Sequence, residues 1–495
     1  MNNASDQVAD VLVVGAGPTG LLLAGDLAAA GVSCTVLERR ADESNLTRAF
    51  AVHARTLELL DARGVADALV SSGNRVDRLN LFGGVEVDLS GLPTRFPFVL
   101  VTPQYVTEAV LRERAVAAGA RIVDGAEVDG LHQDDEGVRA RFRAPDGARG
   151  VARSTYLVGA DGAHSTVRNA LGLAFPGEAA VQSVMLADVL LAEPPTDVLV
   201  VGSGEDGFAF VAPFGDGWYR VIAWDRHRQV ADDVPVSLDE VRDVTTRVLG
   251  TDHGMHDARW LSRFHSDERL VPWYRVGRTF LAGDAAHVHS PAGGQGMNIG
   301  LQDAANLGWK LVAALHGWAA PGLLDSYHGE RHPVGRSVVQ GSGTLLRMAL
   351  LGPAPLRAVR NAAGSAVARI GPIERKAGEF VSGLAIAYPR PRGEHSLVGS
   401  RVPDVTVVGP DGAGRLYERL RDGRFVLLTG QDHHGLIEPW ADRVNVVTTV
   451  DRSQGLTLVR PDGYVAWATD TKESIRRDVE VRAALIAWCG PPASG

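Results

Sequence analysis

The sequence predicts a mixed α/β fold, in which a parallel sheet flanked by helices is interleaved with a mostly antiparallel sheet and followed by a smaller α/β domain. The chain opens with apolar runs at residues 11–14 and 34–37, on either side of a helical stretch at residues 18–30. Alternating segments joined by turns follow at residues 130–158, and residues 181–226 are again strand-like and rich in aromatic residues. Strand and helix patterns therefore alternate along the chain and do not fall into two blocks.

Further helices are predicted where apolar residues recur at helical spacing. Residues 54–61 and 105–118 give two helices of ordinary length. Residues 293–316 and 323–339 give two longer ones, and we expect the second to be broken near Pro333, because proline removes a helical hydrogen bond.

These patterns set the predicted domain boundaries. Residues 1–180 and 265–390 are predicted to form one discontinuous domain that carries the parallel sheet and the long helices. Residues 75–103 and 181–264 are predicted to form the antiparallel sheet domain. Residues 391–495 are predicted to form the C-terminal α/β domain.

Composition narrows the class of protein. The 495 residues are 45% hydrophobic and 22% charged, which is typical of a globular chain, and the net charge is -9. Without a dense basic run we expect no nucleic-acid partner. The two cysteines, Cys34 and Cys489, form no CxxC pair, so we expect a reducing compartment and neither a disulfide framework nor a cysteine zinc site. A polar start and the absence of an apolar run of about 18 residues predict a cytoplasmic protein without a membrane span.

The first motif follows the first predicted strand and opens the first predicted helix. Gly15 permits a tight turn, Gly17 lets a pyrophosphate approach the backbone, and Gly20 lets helix and strand pack closely. The helix N-terminus offers free N–H groups to the phosphates, and Glu38, at the end of the next strand, can accept hydrogen bonds from ribose hydroxyls. The predicted dinucleotide site therefore comprises Gly15, Ala16, Gly17, Pro18, Thr19, Gly20 and Glu38.

Two further motifs combine a strand, an acid and a helix. Asp161-Gly162 ends one predicted strand, although an Asp-Gly turn alone is ordinary loop chemistry. Gly283 and Asp284 end another, and a glycine-rich segment then opens a long helix. Bare backbone at that helix N-terminus can lie against a flat ring and stabilise negative charge on it. The segment consists of Pro291, Ala292, Gly293, Gly294, Gln295, Gly296, Met297 and Asn298.

Together these motifs resemble the group A flavoprotein aromatic hydroxylases, the family of para-hydroxybenzoate hydroxylase and phenol hydroxylase, over residues 8–340. The resemblance implies a Rossmann-like FAD-binding domain interleaved with a substrate-binding sheet. It also implies a monooxygenase reaction: NADPH, or alternatively NADH, reduces the flavin, O2 forms a flavin C4a-hydroperoxide, and an aromatic ring is hydroxylated. The non-enzyme alternative, a scaffold protein derived from a flavoprotein, would require damaged motifs, and these are intact.

The same resemblance implies a role for individual residues. The glycines of the first motif and Glu38 hold the ADP half of FAD, Asp161-Gly162 contacts both FAD and the nicotinamide cofactor, and Asp284 hydrogen-bonds the ribityl chain. The remaining contacts that the resemblance implies are Arg39, Arg48, Gln104 and Val128, the last beside the adenine.

Finer resemblances narrow the substrate class. Residues 49–58, 254–263 and 324–333 look like the aromatic-polyketide hydroxylases of angucycline and tetracycline pathways, with rifamycin-type antibiotic monooxygenases as close relatives. The implied function is hydroxylation of a polycyclic aromatic in natural-product biosynthesis. A Baeyer–Villiger or antibiotic-inactivating oxygenase on the same scaffold is the alternative. A flavin-dependent halogenase is disfavoured because its Trp-x-Trp-x-Ile-Pro signature is absent.

Strand alternation supplies candidates for the substrate pocket, with the domain core as the alternative role for the aromatic residues among them. Arg220 could bind a phenolate, pair with an acid or lie at the surface. We name no catalytic base and predict no metal site, because His287 and His289 have no third ligand. The substrate candidates are Phe208, Phe210, Ala212, Phe214, Arg220, Ile222, Trp224, His289 and Pro291.

The C-terminal domain resembles the thioredoxin-like extension of phenol hydroxylase, chiefly in the hairpin at residues 458–467. Residues 429–434, which follow the predicted strand at 425–428, contain no cysteine and hence no CxxC motif. Redox exchange by this domain is therefore not expected. We expect an aromatic small-molecule partner and a monomer or homodimer.

Overall fold

The computed structural model describes residues 7–42, 49–81, 85–214, 216–290, 293–351, 371–430, 434–449 and 455–492, together with residues 355, 358 and 359. Strands and helices of this part of the chain are numbered in order. The strands are β1 (Gln7–Val14), β2 (Cys34–Glu38), β3 (Ala51–Val52), β4 (Asn74–Val76), β5 (Arg78–Leu81), β6 (Val85–Asp88), β7 (Val99–Val101), β8 (Arg121–Asp124), β9 (Glu127–Gln133), β10 (Val138–Arg143), β11 (Arg149–Gly159), β12 (Gly177–Leu191), β13 (Val200–Ser203), β14 (Gly207–Pro213), β15 (Tyr219–Asp225), β16 (Met255–Leu270), β17 (Arg275–Val276), β18 (Thr279–Leu281), β19 (His287–Val288), β20 (Thr406–Gly409), β21 (Gly412–Arg415), β22 (Phe425–Thr429), β23 (Val444–Thr449), β24 (Leu456–Val459) and β25 (Val465–Thr469).

The α-helices lie between these strands and against their faces. They are α1 (Pro18–Ala29), α2 (Ala54–Asp61), α3 (Ala66–Val70), α4 (Gln104–Ala117), α5 (Thr166–Ala170), α6 (Leu238–Leu249), α7 (Gly296–Leu315), α8 (Ser326–Ala349), α9 (Gly371–Val381), α10 (Leu416–Arg419), α11 (His434–Ile437) and α12 (Ser474–Cys489).

The first sheet is the predicted parallel sheet. Its strands run in the order β17-β18-β11-β1-β2-β8, with β10 pairing β11 and β9 pairing β10. β1 pairs in parallel with both β11 and β2, while β9, β10 and β11 form the predicted antiparallel hairpins. The centre of the sheet is apolar on both faces, because α1 covers β1 and packs against α4 and α7. The carboxyl ends of β1, β2 and β11 therefore meet at one edge, where ligands bind in sheets of this kind.

The second sheet is antiparallel throughout, in the order β13-β14-β15-β12-β16-β19. Its strand β12 starts at Gly177, β16 ends at Leu270, and β19 adds residues 287–288, so the sheet exceeds the predicted segment 181–264 at both ends. The predicted segment 75–103 does not join its ladder: β7 pairs with both β3 and β4 in a separate three-stranded sheet, and β5 pairs with β6. The other domain boundaries stay predictions.

Helix α8 corrects one expectation, because it continues through Pro333 to Ala349. A proline inside a helix costs about 3 kcal/mol and was expected to break it. Three consecutive residues before the proline make buried polar contacts that hold this turn: Glu330 with Lys310, Arg331 with Asp303, and His332 with the Val271 carbonyl. These contacts, which no local pattern shows, keep the helix continuous.

The C-terminal domain has its own sheet, in the order β21-β20-β23-β22-β24-β25, but it is joined to the rest of the protein by buried charges. Arg55 of α2 donates to the Tyr417 hydroxyl at 2.9 Å and to the Asp462 carbonyl at 2.6 Å. Arg415 lies 2.6 Å from the Asp61 carboxylate at the end of α2. The docking is therefore specific in geometry and not a loose contact between two surfaces.

The largest of these charged contacts centres on Glu330. Its carboxylate accepts from Lys310 at 2.8 Å, from Arg460 at 2.7 Å and from Asn306 at 2.6 Å. Burial lowers the pKa of Lys310 to about 8, and Glu330 opposes that shift. Burial alone would raise the pKa of Glu330, but the charges of Arg460 and Lys310 hold it well below its ordinary value. The cluster thus stays ionised inside the protein.

We predict that Glu330→Gln destabilises the protein by about 3–5 kcal/mol, because it leaves buried Lys310 without its paired acid and Arg460 with Asp462 alone. The free energy of unfolding from urea titration measures this. Glu379→Gln, in the exposed pair with Arg375, is the matched control and should change stability by less than about 0.5 kcal/mol. Equal effects of the two variants would contradict the importance given to the buried cluster.

Candidate active site

A groove of about 550 Å³ lies along the edge where β1, β2 and β11 end. All three sequence motifs contribute to its walls. The lining residues predicted from the sequence are Gly15, Gly17, Pro18, Thr19, Glu38, Arg39, Gln104, Val128, Asp161, Gly162, Asp284, His289, Gly294, Gln295, Gly296 and Met297. Arg48, Pro291 and Ala292 lie outside the described residues.

The glycines of the first motif have the geometry that their spacing predicts. Gly15 has φ +103°, and a Cβ there would lie 2.4 Å from the Ala160 carbonyl oxygen. A Cβ at Gly20 would lie 2.0 Å from the Gly15 carbonyl oxygen, so α1 and β1 pack backbone to backbone. At Gly17, which precedes α1, no atom lies within 4 Å of the Cβ position, and no side chain caps the helix. The open space and the free N–H groups suit an anionic group.

Glu38 closes the turn before α1. Its carboxylate accepts from the Ala16 N–H at 2.6 Å and from the Arg40 N–H at 2.9 Å, and Arg40 also forms an ion pair with it. Burial would raise the pKa of Glu38, but these hydrogen bonds and the Arg40 charge lower it below its ordinary value. The acid is therefore held as a carboxylate that faces the groove. Ala16 and Gly20 support this turn without lining the groove.

Two groove residues that the sequence reading missed are Arg40 and Glu108. Arg40 lies between Glu38 and Glu108, 3.6 Å from the latter. Gln104 donates to Glu108 at 2.7 Å and accepts from the Ala49 N–H at 3.0 Å. The Arg39-Arg40 pair after β2 was the available signal; Glu108 gave none, because it looks like any exposed acid on α4. Other lining residues not anticipated are Phe50, Ala126, Glu127, His164, Thr166 and Val288.

The second motif places Asp161 at the start of α5. Its carboxylate accepts from Ser165 Oγ at 2.5 Å and from the Val167 N–H at 3.1 Å. Burial raises the pKa of Asp161, and these hydrogen bonds oppose the shift. Gly162 has φ +81° and open space at its Cβ position, so the Asp-Gly turn presents bare backbone to the groove.

The third motif is fixed by a buried charge cluster around Asp303 of α7. Its carboxylate accepts from the Gly283 N–H at 3.0 Å and from Arg331 at 2.7 Å, and it lies 2.7 Å from His287 Nε2. Burial opposes its ionisation, but the charges of Arg331 and His287 lower its pKa. Gly283 thus supports the turn from which the adjacent Asp284 reaches the groove.

Helix α7 begins at Gly296, three residues later than predicted, because Gly293 and Gly294 have φ +88° and +62°. Asn298 holds this loop, donating to the Gly294 carbonyl at 2.8 Å and the Ala51 carbonyl at 2.9 Å. It also accepts from the His53 N–H at 2.9 Å. Asn298 and Gly293 therefore lie outside the groove lining, although both shape it.

An apolar cavity of about 180 Å³ adjoins the groove. The two share Phe50, Gly294 and Gln295. Among its described lining residues there is no Asp, Glu, Lys or Arg, and the polar side chains are His53, Ser266, Ser290 and Gln295. Burial lowers the pKa of His53 to about 4, with an opposing hydrogen bond to Gly293, so the ring is neutral near pH 7. The cavity is therefore an uncharged site next to the groove.

The predicted pocket residues on the second sheet fall into two groups, those that line the apolar cavity and those that do not. Phe208 opposes Trp224 and Phe210 opposes Ile222, and all four line the cavity. The next pair on that face is Ala212 and Arg220, which do not line the cavity. Arg220 instead binds Asp188 through two hydrogen bonds of 2.6 and 3.0 Å. Arg220 is fully buried. Of the three roles considered for Arg220, the pairing with an acid is the one observed.

Three other substrate candidates lie outside the lining of the apolar cavity, and their contact with a substrate stays a prediction. Ala212 and Phe214 are buried beyond the Arg220–Asp188 pair, with the Phe214 ring 5.0 Å from the Arg220 guanidinium. His289 lines the groove and not the apolar cavity, because its Nδ1 is held 2.8 Å from the Ser290 carbonyl oxygen. Its Nε2 is buried without a partner in the structure. Strand alternation thus predicted the face that borders the apolar cavity, but it did not show where the cavity ends.

The groove fits the FAD that its motifs imply. Three features suit an elongated polar ligand. They are the open space at Gly17 and Gly162, the uncapped N-terminus of α1, and the His289 Nε2, which has no partner among the described residues. At the other end, the backbone of Gly294 and Gly296 leaves room beside the apolar cavity for a flat ring. A flavin there would face the apolar cavity, and an apolar lining favours exclusion of water from the atoms between which oxygen is transferred.

The two sheets, the dinucleotide groove and the adjoining apolar cavity indicate an FAD-dependent monooxygenase. Residues 8–342 match the family model described as FAD binding domain, and residues 395–492 match the model described as Aromatic-ring hydroxylase, C-terminal. The chain belongs to the FAD-dependent aromatic-ring hydroxylase family. Among the described residues, no helix has the length and apolar character needed to traverse a bilayer.

Individual relatives match over nearly the whole chain. Rifampicin monooxygenase of Streptomyces venezuelae is 39% identical over 495 residues, covering 98% of this chain and 100% of the relative. The 12-dehydrotetracycline 5-monooxygenase/anhydrotetracycline 6-monooxygenase of Streptomyces rimosus is 39% identical over 515 residues, covering 98% and 99%. The solved structure of CabE, an aromatic hydroxylase from angucycline biosynthesis, is 38% identical with a TM-score of 0.86, covering 98% of this chain and 99% of that one. The predicted fold class, FAD dependence and monooxygenase activity are confirmed.

We predict that Gly17→Ala folds normally but binds FAD weakly, because its methyl group would enter only the open groove. Losing one charge-assisted hydrogen bond, worth about 1.5–3 kcal/mol, weakens binding by about tenfold or more. The Tm of the apoprotein and quenching of FAD fluorescence give the two readouts. Gly91→Ala, also with open space around its Cβ position, is the matched control. Unchanged FAD affinity in Gly17→Ala would rule out a phosphate beside this residue.

We predict that buried His53 makes stability fall as the pH drops from about 6.5 to about 4. Its pKa of about 4 in the folded state lies below the ordinary 6.5. Between these two pH values His53 is protonated in the unfolded chain but neutral in the folded protein, so falling pH favours unfolding. The loss at the acid end is about 3 kcal/mol. Urea titrations at several pH values should show a smaller loss for His53→Gln, whereas His132→Gln, with its exposed side chain, should behave as the native protein. If His53→Gln retains the full loss, other groups cause it.

Proposed function

We propose that the protein hydroxylates an uncharged polycyclic aromatic compound of polyketide type in natural-product biosynthesis, using FAD, NADPH and O2. The observation that carries the proposal is the shared wall: Phe50, Gly294 and Gln295 line both the dinucleotide groove and the apolar cavity. A ring bound in the cavity would therefore lie next to the flavin. The tetracycline and angucycline enzymes named above support the substrate class.

In this proposal each part of the groove holds one part of the cofactor. Residues 15–20 and Glu38 bind the ADP half, Val128 lies beside the adenine, and Asp284 binds the ribityl chain. Arg39, Gln104, Asp161 and Gly162 complete the contacts, and the N-terminus of α7 faces the flavin ring. The proposed contacts of Arg48, Pro291 and Ala292 belong to this set as well.

The bound flavin, once reduced by the nicotinamide cofactor, supplies the activation of oxygen. The protein's own side chains orient the ring and exclude water. Phe208, Phe210, Ile222 and Trp224 provide an apolar wall, which keeps water from the reacting atoms. Neutral His53 adds no charge to it.

The size of the cavity bears on the substrate. A volume of 180 Å³ lies below the range of about 300–1,000 Å³ that is usual for ligand pockets. One wall is the end of α8, with Leu345, Leu346, Ala349 and Leu350. A polycyclic substrate therefore requires a wider cavity, whereas one or two fused rings require less space.

A second candidate is oxidation of an antibiotic, by hydroxylation or by Baeyer–Villiger insertion, on the same scaffold. It is favoured by the identity of 39% to a rifampicin monooxygenase, equal to that of the tetracycline enzyme. We further propose a cytoplasmic location, in keeping with two buried and unpaired cysteines, and a monomer or homodimer. NADPH is proposed over NADH.

We predict that a polycyclic phenol accelerates reduction of the enzyme-bound FAD by NADPH in anaerobic stopped-flow absorbance. Admission of labelled O2 should then place one labelled oxygen atom on the ring, as seen by mass and product structure. A lactone product would favour the second candidate, and NADH in place of NADPH tests the cofactor. Should every aromatic offered leave the reduction rate unchanged and yield only hydrogen peroxide, the hydroxylase proposal fails.

Ile222→Trp tests the site within the same experiment. The larger side chain fills the cavity, so FAD should remain bound while the substrate no longer accelerates reduction. Val408→Trp, at an exposed position of the C-terminal domain, is the control and should behave as the native enzyme. Retention of the substrate effect in Ile222→Trp would place the substrate elsewhere.

A further inference from the structure

Ser266 is a buried polar residue in the wall of the apolar cavity. It lies on β16, opposite Val181 of β12, and is 3% exposed. Within the part of the chain that the structure describes, its Oγ has no hydrogen-bond partner. A buried hydroxyl without a partner costs about 1–3 kcal/mol, so it needs an explanation.

The backbone around Ser266 turns apolar side chains toward the same space. The pairing of β12 with β16 is irregular here: Val181 opposes Ser266 and Val184 opposes Phe264, so two residues of β12 face one of β16. Ser183 within this bulge has φ +59°, and its hydroxyl accepts from Arg263 at 2.7 Å. Val181 and Val184 both line the cavity as a result. Ser266 is the polar residue that β16 contributes beside these two valines.

A missing partner alone would not indicate a site. Ser154 of β11 is also buried, and its Oγ also has no partner. Ser154 lines neither the groove nor the apolar cavity, so its hydroxyl has no space in which to meet a ligand. Ser266 differs because it borders a cavity, and the described residues that line this cavity are all uncharged.

We propose that Ser266 determines substrate specificity by hydrogen-bonding an oxygen substituent, hydroxyl or carbonyl, of an uncharged aromatic ring bound in the apolar cavity. A serine hydroxyl both donates and accepts, so it serves either substituent. No described lining residue offers a charge to a carboxylate, which restricts the ligand to neutral rings. The inference rests on the proposed function, because it assigns this cavity to the aromatic substrate.

The test compares two probes of equal shape, 1-naphthol and 1-methylnaphthalene, by equilibrium dialysis against the FAD-loaded enzyme without NADPH. We expect the preference for 1-naphthol, expressed as the ratio of the two Kd values, to fall by about three- to tenfold in Ser266→Ala, the value of one neutral hydrogen bond. Ser154→Ala should keep the native ratio. The assignment is overturned if the ratio is the same in native enzyme and Ser266→Ala. It is also overturned if neither probe binds the native enzyme.

Thermal unfolding separates a binding role from a structural one. Since the Ser266 hydroxyl has no internal partner, Ser266→Ala should unfold at the native Tm or slightly above it, as should Ser154→Ala. A Tm several degrees lower in Ser266→Ala alone would show an internal partner and also overturn the assignment. If naphthol binding depends on Ser266 but no aromatic accelerates flavin reduction, the hydroxylase function fails while this binding role stands.

Discussion

The buried carboxylate of Asp303 is the constraint on which the arrangement of the site depends. It receives the Gly283 N–H, His287 and Arg331, and so ties the turn before Asp284 to two long helices at once. Removing one partner from such a cluster would leave an unpaired charge in the interior, which is strongly unfavourable. Because α7 carries Asp303 and also begins at the glycine loop, the same contact fixes that loop relative to the groove.

The C-terminal domain extends this principle. Arg55, Glu330 and Arg460 connect helices of the FAD-binding region to the last sheet through hydrogen bonds that are buried in the interior. Buried ion pairs add little net stability compared with apolar contacts, but they tolerate few alternative geometries. A domain without a CxxC motif can therefore matter to the enzyme through position alone. It contacts α2, α7 and α8, and the N-terminal ends of α2 and α7 and the C-terminal end of α8 lie beside the groove or the apolar cavity.

Local signals in the sequence were enough for the scaffold and for the three motifs that line the groove, but not for every lining residue, since Arg40 and Glu108 were missed. The roles of Gly15, Gly17 and Gly20 depend on backbone conformation and close approach, which one segment encodes by itself. Continuity of α8 through Pro333 depends instead on Lys310, Asp303 and Val271, which are distant in sequence. The boundary of the apolar cavity depends on Asp188 meeting Arg220, so alternation could not distinguish Ile222 from Arg220 on the same strand face. Ser266 could not be predicted for a similar reason, because a single serine within a strand belongs to no motif or periodic pattern.

The wall shared by Phe50, Gly294 and Gln295 also has a thermodynamic consequence. If a flavin rests on one side of these residues and an aromatic ring on the other, neither ligand can shift the wall without altering the free energy with which the other binds. Such coupling is reciprocal at equilibrium. Whatever factor the aromatic ring imposes on the affinity for FAD, FAD imposes on the affinity for the ring, so the two sites form a single linked binding system.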